Sequence, residues 1–309
     1  MEADLTALRT LFEFLIFPGF LFLAAVGMLL TWVDRKVSAR VQWRVGPPWY
    51  QPLADFLKLL LKEPTVPEGA ARPIFLLAPI LGLIAAVTVG MMLFTMNFQP
   101  GRSFVGDLVV VIYLLAFIPL GTILGASASR NPLAAVGASR EMTLYFAYEL
   151  PLILALLVPV IKTGSLRIGT IVLAQQQGQS FLYSVSGVIA LLVAFVCMQA
   201  KLGLPPFDIA EAEQEIMAGP VIEYSGVTLA LFRLTRAMLY LLLPVLLITL
   251  FWAGVGNWWA ILKFLLLFVL VVLVKNTNPR LRIDQALRLF WIGLAPLAAV
   301  AVVFALLGW

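Results

Sequence analysis

The chain has 309 residues, of which 62% are hydrophobic and 12% are charged, and its formal net charge is +5. Its mean hydropathy is +1.02. Soluble domains carry roughly 25% charged residues, so this composition excludes an ordinary soluble domain and indicates an integral membrane protein.

The sequence contains one cysteine, Cys197, and no histidine. Disulfides, zinc sites, histidine-ligated haem and iron–sulfur clusters all need more such ligands, so we expect no metal site and no cofactor in this chain. In a soluble protein the positive charge would suggest a nucleic-acid partner. In a membrane protein the basic residues are explained by orientation in the lipid bilayer, and we expect no nucleic-acid partner.

Apolar runs of about 20 residues are long enough to cross a hydrocarbon core of roughly 30 Å. The sequence contains about eight such runs, which predict an all-α, polytopic membrane protein with a single integral membrane domain over residues 1–309. The first run follows acidic residues and only one basic residue, Arg9, so we interpret it as a retained span and not as a cleaved signal peptide. The predicted spans are 12–32, 74–96, 108–127, 143–161, 183–199, 237–252, 258–274 and 289–307.

The basic residues are distributed unevenly between the two sides of these spans. Sixteen of the 21 Lys and Arg residues lie in the loops that follow the odd-numbered spans, four lie on the other side, and Lys263 lies inside the seventh span. The positive-inside rule therefore predicts a multi-pass protein of the plasma membrane with both termini on the outer side. The predicted cytoplasmic loops are 33–72, 128–142, 200–236 and 275–288.

The segment YQPLADFLKLLLKEP, residues 50–64, predicts an amphipathic helix on the cytoplasmic side. Leu53, Phe56, Leu57 and Leu60 follow the i, i+3, i+4, i+7 spacing of one helix face. Such a helix can lie in the membrane interface. Together with the preceding RVQWRVGPPW, it can also form a docking surface for a cytoplasmic partner, and the two interpretations are compatible.

Glu149 lies inside an otherwise apolar run, residues 142–161. An ionised carboxylate at that depth costs several kcal/mol, so it must face the protein interior, be protonated part of the time, or have a partner. Two roles are open: a structural hydrogen bond, or a step in the transfer of a proton or ion.

The segment PPFDIAEAEQEIMAGPVIEYSG, residues 205–226, holds five carboxylates and no Lys or Arg. If residues 208–217 are helical, Glu211 and Glu215 share one face at i, i+4, where like charges repel. One interpretation is a solvated surface helix. The other is a partly buried set of carboxylates that titrate together, which suits ion handling near neutral pH.

Three motifs in this order, GPPWYQPLADFLKLLLKE, GASREMTLYFAYE and the PFD-containing acidic segment, resemble a known family. It is the NADH dehydrogenase subunit 1 family of respiratory complex I, and the likeness is greatest to the corresponding membrane protein of energy-converting membrane-bound [NiFe] hydrogenases. The resemblance implies a membrane coupling subunit of a redox-driven ion pump. In such a pump the peripheral arm oxidises ferredoxin, NADH or a similar donor, and antiporter-like subunits move the ion.

The resemblance also implies roles for single residues and for partners. The peripheral hydrogenase-like large and small subunits and iron–sulfur proteins would hold the iron–sulfur clusters and, in hydrogenases, a [NiFe] centre, while this chain would hold none. The acids expected to form the ion path are Glu149, Glu211, Glu213, Glu215 and Glu223. The residues expected at the interface to the peripheral arm are Arg44, Asp55, Arg140, Glu141 and Asp208.

Other functions stay open at this point. Quinone-reducing members resemble EGESELVAGFNVEYS at the acidic motif and carry a Glu and an Arg before PFD, where this chain has Lys201 and Leu204. That difference argues against a quinone-binding subunit of complex I, and EAEQEI, GP and SREM are more similar to the hydrogenase branch. A related sulfur-reducing complex would present the same motifs, and a stand-alone secondary transporter in which Glu149 binds the coupling ion is an alternative of another class.

We expect both termini to be inaccessible from the cytoplasm, because the basic residues lie mainly in the odd-numbered loops. Epitope tags at Met1 and at Trp309, probed with antibody in vesicles of known orientation, measure this. Binding of antibody to either tag from the cytoplasmic face would show that the number of spans is wrong.

Overall fold

The computed structural model describes residues 2–178 and 180–309, and among these it describes the side chains of residues 9–178, 180–212 and 215–309. All regular elements of these residues are helical, which confirms the predicted all-α class. The α-helices are α1 Glu2–Leu15, α2 Phe20–Val41, α3 Gln51–Leu60, α4 Arg72–Phe98, α5 Asp107–Ala128, α6 Pro132–Thr163, α7 Ile168–Gln177, α8 Val185–Lys201, α9 Glu213–Ile216, α10 Gly226–Phe251, α11 Trp259–Thr277, α12 Ile283–Arg288 and α13 Ala295–Leu306.

Seven of the eight predicted spans each follow one apolar helical segment, whereas the first, 12–32, includes the end of α1, the non-helical residues 16–19 and part of α2. Within the described residues, seven helical segments are long and apolar enough to cross a membrane. The fifth predicted span corresponds to α8, whose 17 residues extend about 26 Å at a rise of 1.5 Å per residue. The seven segments are Arg9–Val41, Arg72–Phe98, Asp107–Ala128, Pro132–Thr163, Gly226–Phe251, Trp259–Thr277 and Ile283–Leu306.

Three helices extend beyond the apolar runs that predict them. Helix α6 begins at Pro132, so Arg140 and Glu141 lie on a helix and not in a loop. The side chain of Asn131 accepts a hydrogen bond from the backbone N–H of Leu133 at 2.8 Å, which caps this early start. Similarly, α10 begins at Gly226 and α2 continues to Val41, because hydropathy marks only the apolar part of a helix.

The predicted amphipathic helix is present as α3. Pro52 lies in its first turn, where a missing N–H costs nothing. Leu53, Leu57 and Leu60 are exposed and form an apolar face that the chain itself leaves uncovered. This face is consistent with both interpretations of the segment, a position in the membrane interface or contact with a partner.

The helices form two compact units. The first comprises the chain up to Phe94 with Tyr113–Ala138 and Glu211–Leu242, and the second comprises Thr95–Ile112, Ser139–Ala210 and Leu243–Trp309. In the first unit α2 approaches α10 closely, since a Cβ atom on Gly27 would lie 2.6 Å from the backbone oxygen of Ala237. Glycine at this position allows the two backbones to pack together.

In the second unit, α8 and α13 pack against each other. Small side chains allow such close approach inside a membrane, where helix association depends on packing and hydrogen bonds. Every third or fourth residue of α13 is a buried alanine: Ala295, Ala298, Ala301 and Ala305. The Ser186 hydroxyl at the start of α8 donates a 2.5 Å hydrogen bond to the carbonyl of Trp309, which fastens the end of the chain to this pair.

Replacing Gly27 by alanine should destabilise the protein, because the added methyl group would force α2 and α10 apart. Overpacking of this kind typically costs about 1–3 kcal/mol. Thermal unfolding of the detergent-solubilised protein measures it. Gly101→Ala is the matched control, since no atom lies within 4 Å of its added Cβ; equal unfolding midpoints for the two variants would contradict the close contact.

Candidate functional site

Glu149, predicted to need a partner, forms an ion pair with Lys201. The Lys201 Nζ lies 2.9 Å from the Glu149 Oε2, and the two side chains are only 2% and 11% exposed. Glu149 belongs to α6, and Lys201 is the last residue of α8. The ammonium also lies 5.3 Å from the ring centroid of Tyr148 and 6.0 Å from that of Tyr145, within the range of a cation–π contact.

Asp208, predicted at the interface to the peripheral arm, lies in the same unit and also has a basic partner. Arg280 Nη2 donates to its Oδ2 at 2.7 Å. One residue further along, the backbone N–H of Leu281 donates to the carbonyl of Pro206 at 2.9 Å. These contacts hold the PFD segment against the connection between α11 and α12.

The conditional helix over residues 208–217 is wrong. Only Glu213–Ile216 is helical, because Ala212 and Met217 on either side of this turn have non-helical backbone angles. Glu211 precedes this single turn, so it does not share a helix face with Glu215, which is exposed. The side chain of Glu213 lies outside the described part of the chain.

Glu211 has a basic partner that is distant in sequence. Arg236 of α10 donates from Nη1 to the Glu211 Oε2 at 2.6 Å, and the side chains are 40% and 30% exposed. Although the acidic segment itself contains no Lys or Arg, the fold supplies one from 25 residues downstream. Glu211 is thus part of a half-buried ion pair and not of a solvated row of like charges.

Glu223 connects the acidic segment to the start of α6. The amide nitrogen of Asn131 donates to its carboxylate. Gly137 lies beside the same segment, since a Cβ atom there would be 2.6 Å from the nitrogen of Pro220. The beginning of the GASREM motif and the GPVIEYS motif are therefore packed together in the first unit.

The residue after Glu223, Tyr224, anchors the segment to α4. Its ring stacks on Phe75 with centroids 4.1 Å apart, and its hydroxyl donates to the Phe75 carbonyl at 3.0 Å. Burial raises the pKa of this phenol, so the hydroxyl stays a hydrogen-bond donor at neutral pH.

Asp34 is a buried acid that the sequence reasoning missed. It is 3% exposed, lies on α2, and accepts a 3.1 Å hydrogen bond from the hydroxyl of Tyr240. Arg236 and Tyr240 lie one turn apart on α10, so this helix carries partners for both Glu211 and Asp34. The sequence does place Asp34 just beyond the first apolar run, and this position could have indicated a buried acid. Hydropathy instead assigned Asp34 to the loop 33–72.

Asp55 of α3 is held on the first unit by Arg35, whose Nη1 lies 3.1 Å from its Oδ2, and by Gln51, whose amide donates to its Oδ1 at 2.8 Å. Burial raises the pKa of Asp55, but the hydrogen bonds from Gln51 and Arg35 and the charges of Arg35 and Arg233 outweigh burial and lower the pKa overall. Asp55 is therefore ionised at neutral pH.

The remaining predicted interface residues are at least partly accessible. Arg44 is exposed in the connection between α2 and α3. Arg140 and Glu141 are half-buried near the start of α6. Their accessibility is compatible with contact to a partner, and their role at an interface stays a prediction.

Comparisons with known proteins address the family. Residues 14–306 match the family model for NADH dehydrogenase. The H subunit of the NADH-quinone oxidoreductase of Geobacillus sp. (strain WCH70) is 36% identical over 285 residues, which cover 86% of this chain and 84% of that protein. Its counterpart in Geobacillus kaustophilus (strain HTA426) is 33% identical over 308 residues, covering 92% of this chain and 91% of that protein.

A solved structure has the same fold. It is a chain of the membrane-bound sulfane sulfur reductase, an archaeal respiratory membrane complex, and it aligns with a TM-score of 0.84 at 28% identity over 92% of this chain and 96% of that chain. The fold, the three motifs and the named relatives all indicate the same family. The chain therefore belongs to the NADH dehydrogenase subunit 1 family and is the membrane subunit of that type in an NADH-quinone oxidoreductase-like complex.

Proposed function

We propose that this chain is the coupling subunit of a membrane-bound hydrogenase-like, ferredoxin-oxidising ion pump. In this function it docks the peripheral redox arm and relays ion movement through its carboxylates to antiporter-like subunits. The observation that carries the proposal is the buried pair of Glu149 and Lys201. Keeping two charges inside a membrane protein is expensive, and apolar residues of similar volume would serve a purely structural role at lower cost.

The polar partners of the other acids support the same proposal. Glu211, Glu223 and Asp34 are each hydrogen-bonded to a residue from another part of the first unit. These contacts fix the carboxylates in place, which an ion path requires. Glu213 and Glu215 are further members of the path on the resemblance alone.

The docking role is supported by the surface of the first unit between α2 and α4. Trp43, Trp49 and Leu61 are 98%, 64% and 89% exposed, and Arg44 lies among them in the sequence. Tryptophan and arginine are among the residues most enriched where protein interfaces hold their binding energy. We propose that this surface and Asp55 contact the peripheral arm in the first unit. In the second unit, the proposed contact residues are Arg140, Glu141 and Asp208. The subunits of that arm carry the iron–sulfur clusters and the [NiFe] centre.

Two observations favour second candidates within the family. The structural neighbour belongs to a sulfane sulfur reductase, which favours a sulfur-reducing complex. The relatives are named as subunits of NADH-quinone oxidoreductases, which favours a quinone-binding subunit. Lys201 and Leu204 argue against the quinone, since quinone-reducing members have a Glu and an Arg at these positions.

Purification of the tagged chain in mild detergent tests the proposal. We expect a [NiFe]-type large subunit, iron–sulfur proteins and antiporter-like subunits to co-purify, and mass spectrometry identifies them. A sulfur-reducing or quinone-reducing arm in place of the [NiFe] subunit would select one of the second candidates. Recovery of the chain alone, with ion transport retained in liposomes, would contradict a coupling subunit and support a stand-alone transporter.

The variant Glu149→Gln should assemble and transport fewer ions per electron, because glutamine keeps the shape and hydrogen bonding of the side chain but cannot carry the titrating charge. Ion transport and electron transfer are measured together in inverted vesicles. Glu68→Gln, which changes an exposed glutamate outside the helices, is the control for loss of a carboxylate as such. Unchanged transport per electron in Glu149→Gln would leave Glu149 a structural residue.

Glu211→Gln should reduce ion transport with little change in stability. Its pair with Arg236 is 30–40% exposed, and pairs of that exposure contribute about 1 kcal/mol or less to stability. Adding Glu215→Gln should reduce transport more than the two single changes together, if the acids share protons. Normal activity and normal pumping in the double variant would contradict the role of this segment.

A further inference from the structure

The ammonium of Lys201 lies in a pocket built mainly by one helix. Helix α6 provides the Glu149 carboxylate and the two tyrosine rings, of Tyr145 and Tyr148. The lysine side chain is only 2% exposed, less than that of its partner. The cation is held by the carboxylate and the aromatic faces.

Within the described part of the chain, the ammonium has one directional contact. It has three N–H donors, and among the described residues Glu149 is its one hydrogen-bonding partner. The tyrosines contribute ring faces at 5.3 and 6.0 Å, contacts that attract a cation without fixing its direction. The flexible lysine stem can therefore move the ammonium away from the carboxylate without breaking a second hydrogen bond.

We propose that Lys201 is a positioning residue of the ion path, whose charge holds Glu149 ionised at rest and releases it when the transported ion arrives. This inference rests on the proposed function of Glu149. In the step itself, a hydronium ion gives a proton to the Glu149 carboxylate: one O–H bond of the hydronium breaks and leaves water, a carboxyl O–H bond forms, and the ammonium withdraws with its own three protons. A water molecule then accepts the proton of Glu149 and becomes hydronium, and the carboxylate pairs again with Lys201.

The lysine therefore makes the resting state of the path a neutral ion pair. Without it, the buried carboxylate would be an uncompensated charge and would take up a proton permanently. A Glu149 that stays protonated cannot accept the next proton. Loss of the lysine charge should thus stop repeated transfer while leaving Glu149 in place.

The test compares Lys201→Gln with Lys201→Arg in the assembled complex. Glutamine keeps an N–H donor for Glu149 but removes the charge, whereas arginine keeps the charge. We expect Lys201→Gln to lose most of its ion transport per electron and Lys201→Arg to retain a larger share of it. Rescue by glutamine would overturn the proposal, because it would show that a hydrogen bond suffices.

Infrared spectroscopy of the purified complex gives a second readout that a structural role would not change. Lys201→Gln should show a carbonyl band of a protonated carboxylic acid that wild type lacks and that disappears in Glu149→Gln/Lys201→Gln. Absence of this band in Lys201→Gln would mean that Glu149 stays ionised without the lysine, and would overturn the proposal.

Lys263→Met is the matched control. Lys263 also lies on a membrane-spanning helix and near an aromatic ring, 5.8 Å from that of Trp252, but its ammonium donates to a backbone carbonyl, that of Trp252, at 2.6 Å. Lys263→Met should show neither the carbonyl band nor the loss of transport.

The variants also separate this inference from the proposed function. If Glu149→Gln abolishes transport while Lys201→Gln transports normally, the inference about Lys201 fails and the proposed role of Glu149 stands. If Glu149→Gln also transports normally, the proposed role of Glu149 fails as well.

Discussion

A carboxylate buried in a membrane protein needs a partner, and the pair of Glu149 and Lys201 is the clearest case in this chain. The helix segment that carries Glu149 is otherwise apolar, so an unpaired charge there would cost several kcal/mol. The pair requires α6 to present Glu149 beside the end of α8. Because α8 ends at Lys201, the chain enters the PFD segment directly after this contact, and Asp208 then meets Arg280.

The first unit follows the same rule with partners of a different kind. Helix α10 brings Arg236 to Glu211 and Tyr240 to Asp34, while Asn131 at the start of α6 holds Glu223. Asp34 and Glu223 accept hydrogen bonds from neutral groups, and Glu211 has a charged partner. Each of these acids therefore has a polar partner from another part of the first unit.

Much of the fold could be predicted from the sequence. Apolar runs must form helices in lipid, because no water is present to bind the backbone N–H and C=O groups, and the spacing of Leu53, Phe56 and Leu57 predicted α3.

The need of Glu149 for an interior position or a partner also followed from the sequence, because the residue lies inside an apolar run. The identity of that partner did not, because 52 residues separate Glu149 from Lys201 and no local pattern connects them. The errors have equally physical causes, since the non-helical backbone angles of Ala212 and Met217 limit the helix in the acidic segment to one turn. Asp34 and Arg236 were missed because hydropathy locates the apolar part of α2 and α10 and gives no information about their polar continuations.

A double-mutant cycle on Glu149 and Lys201 tests the central claim most directly, with denaturant or thermal unfolding of the purified protein as the measurement. Removing one partner of a buried ion pair typically costs roughly 3–5 kcal/mol, whereas replacing both partners by apolar residues of similar volume costs little. We therefore expect Glu149→Leu and Lys201→Met, neither of which keeps a hydrogen bond to the other residue, each to be strongly destabilised and the double variant to unfold close to wild type. Additive losses, with the double variant the least stable of the three, would show that the two residues do not act as a pair.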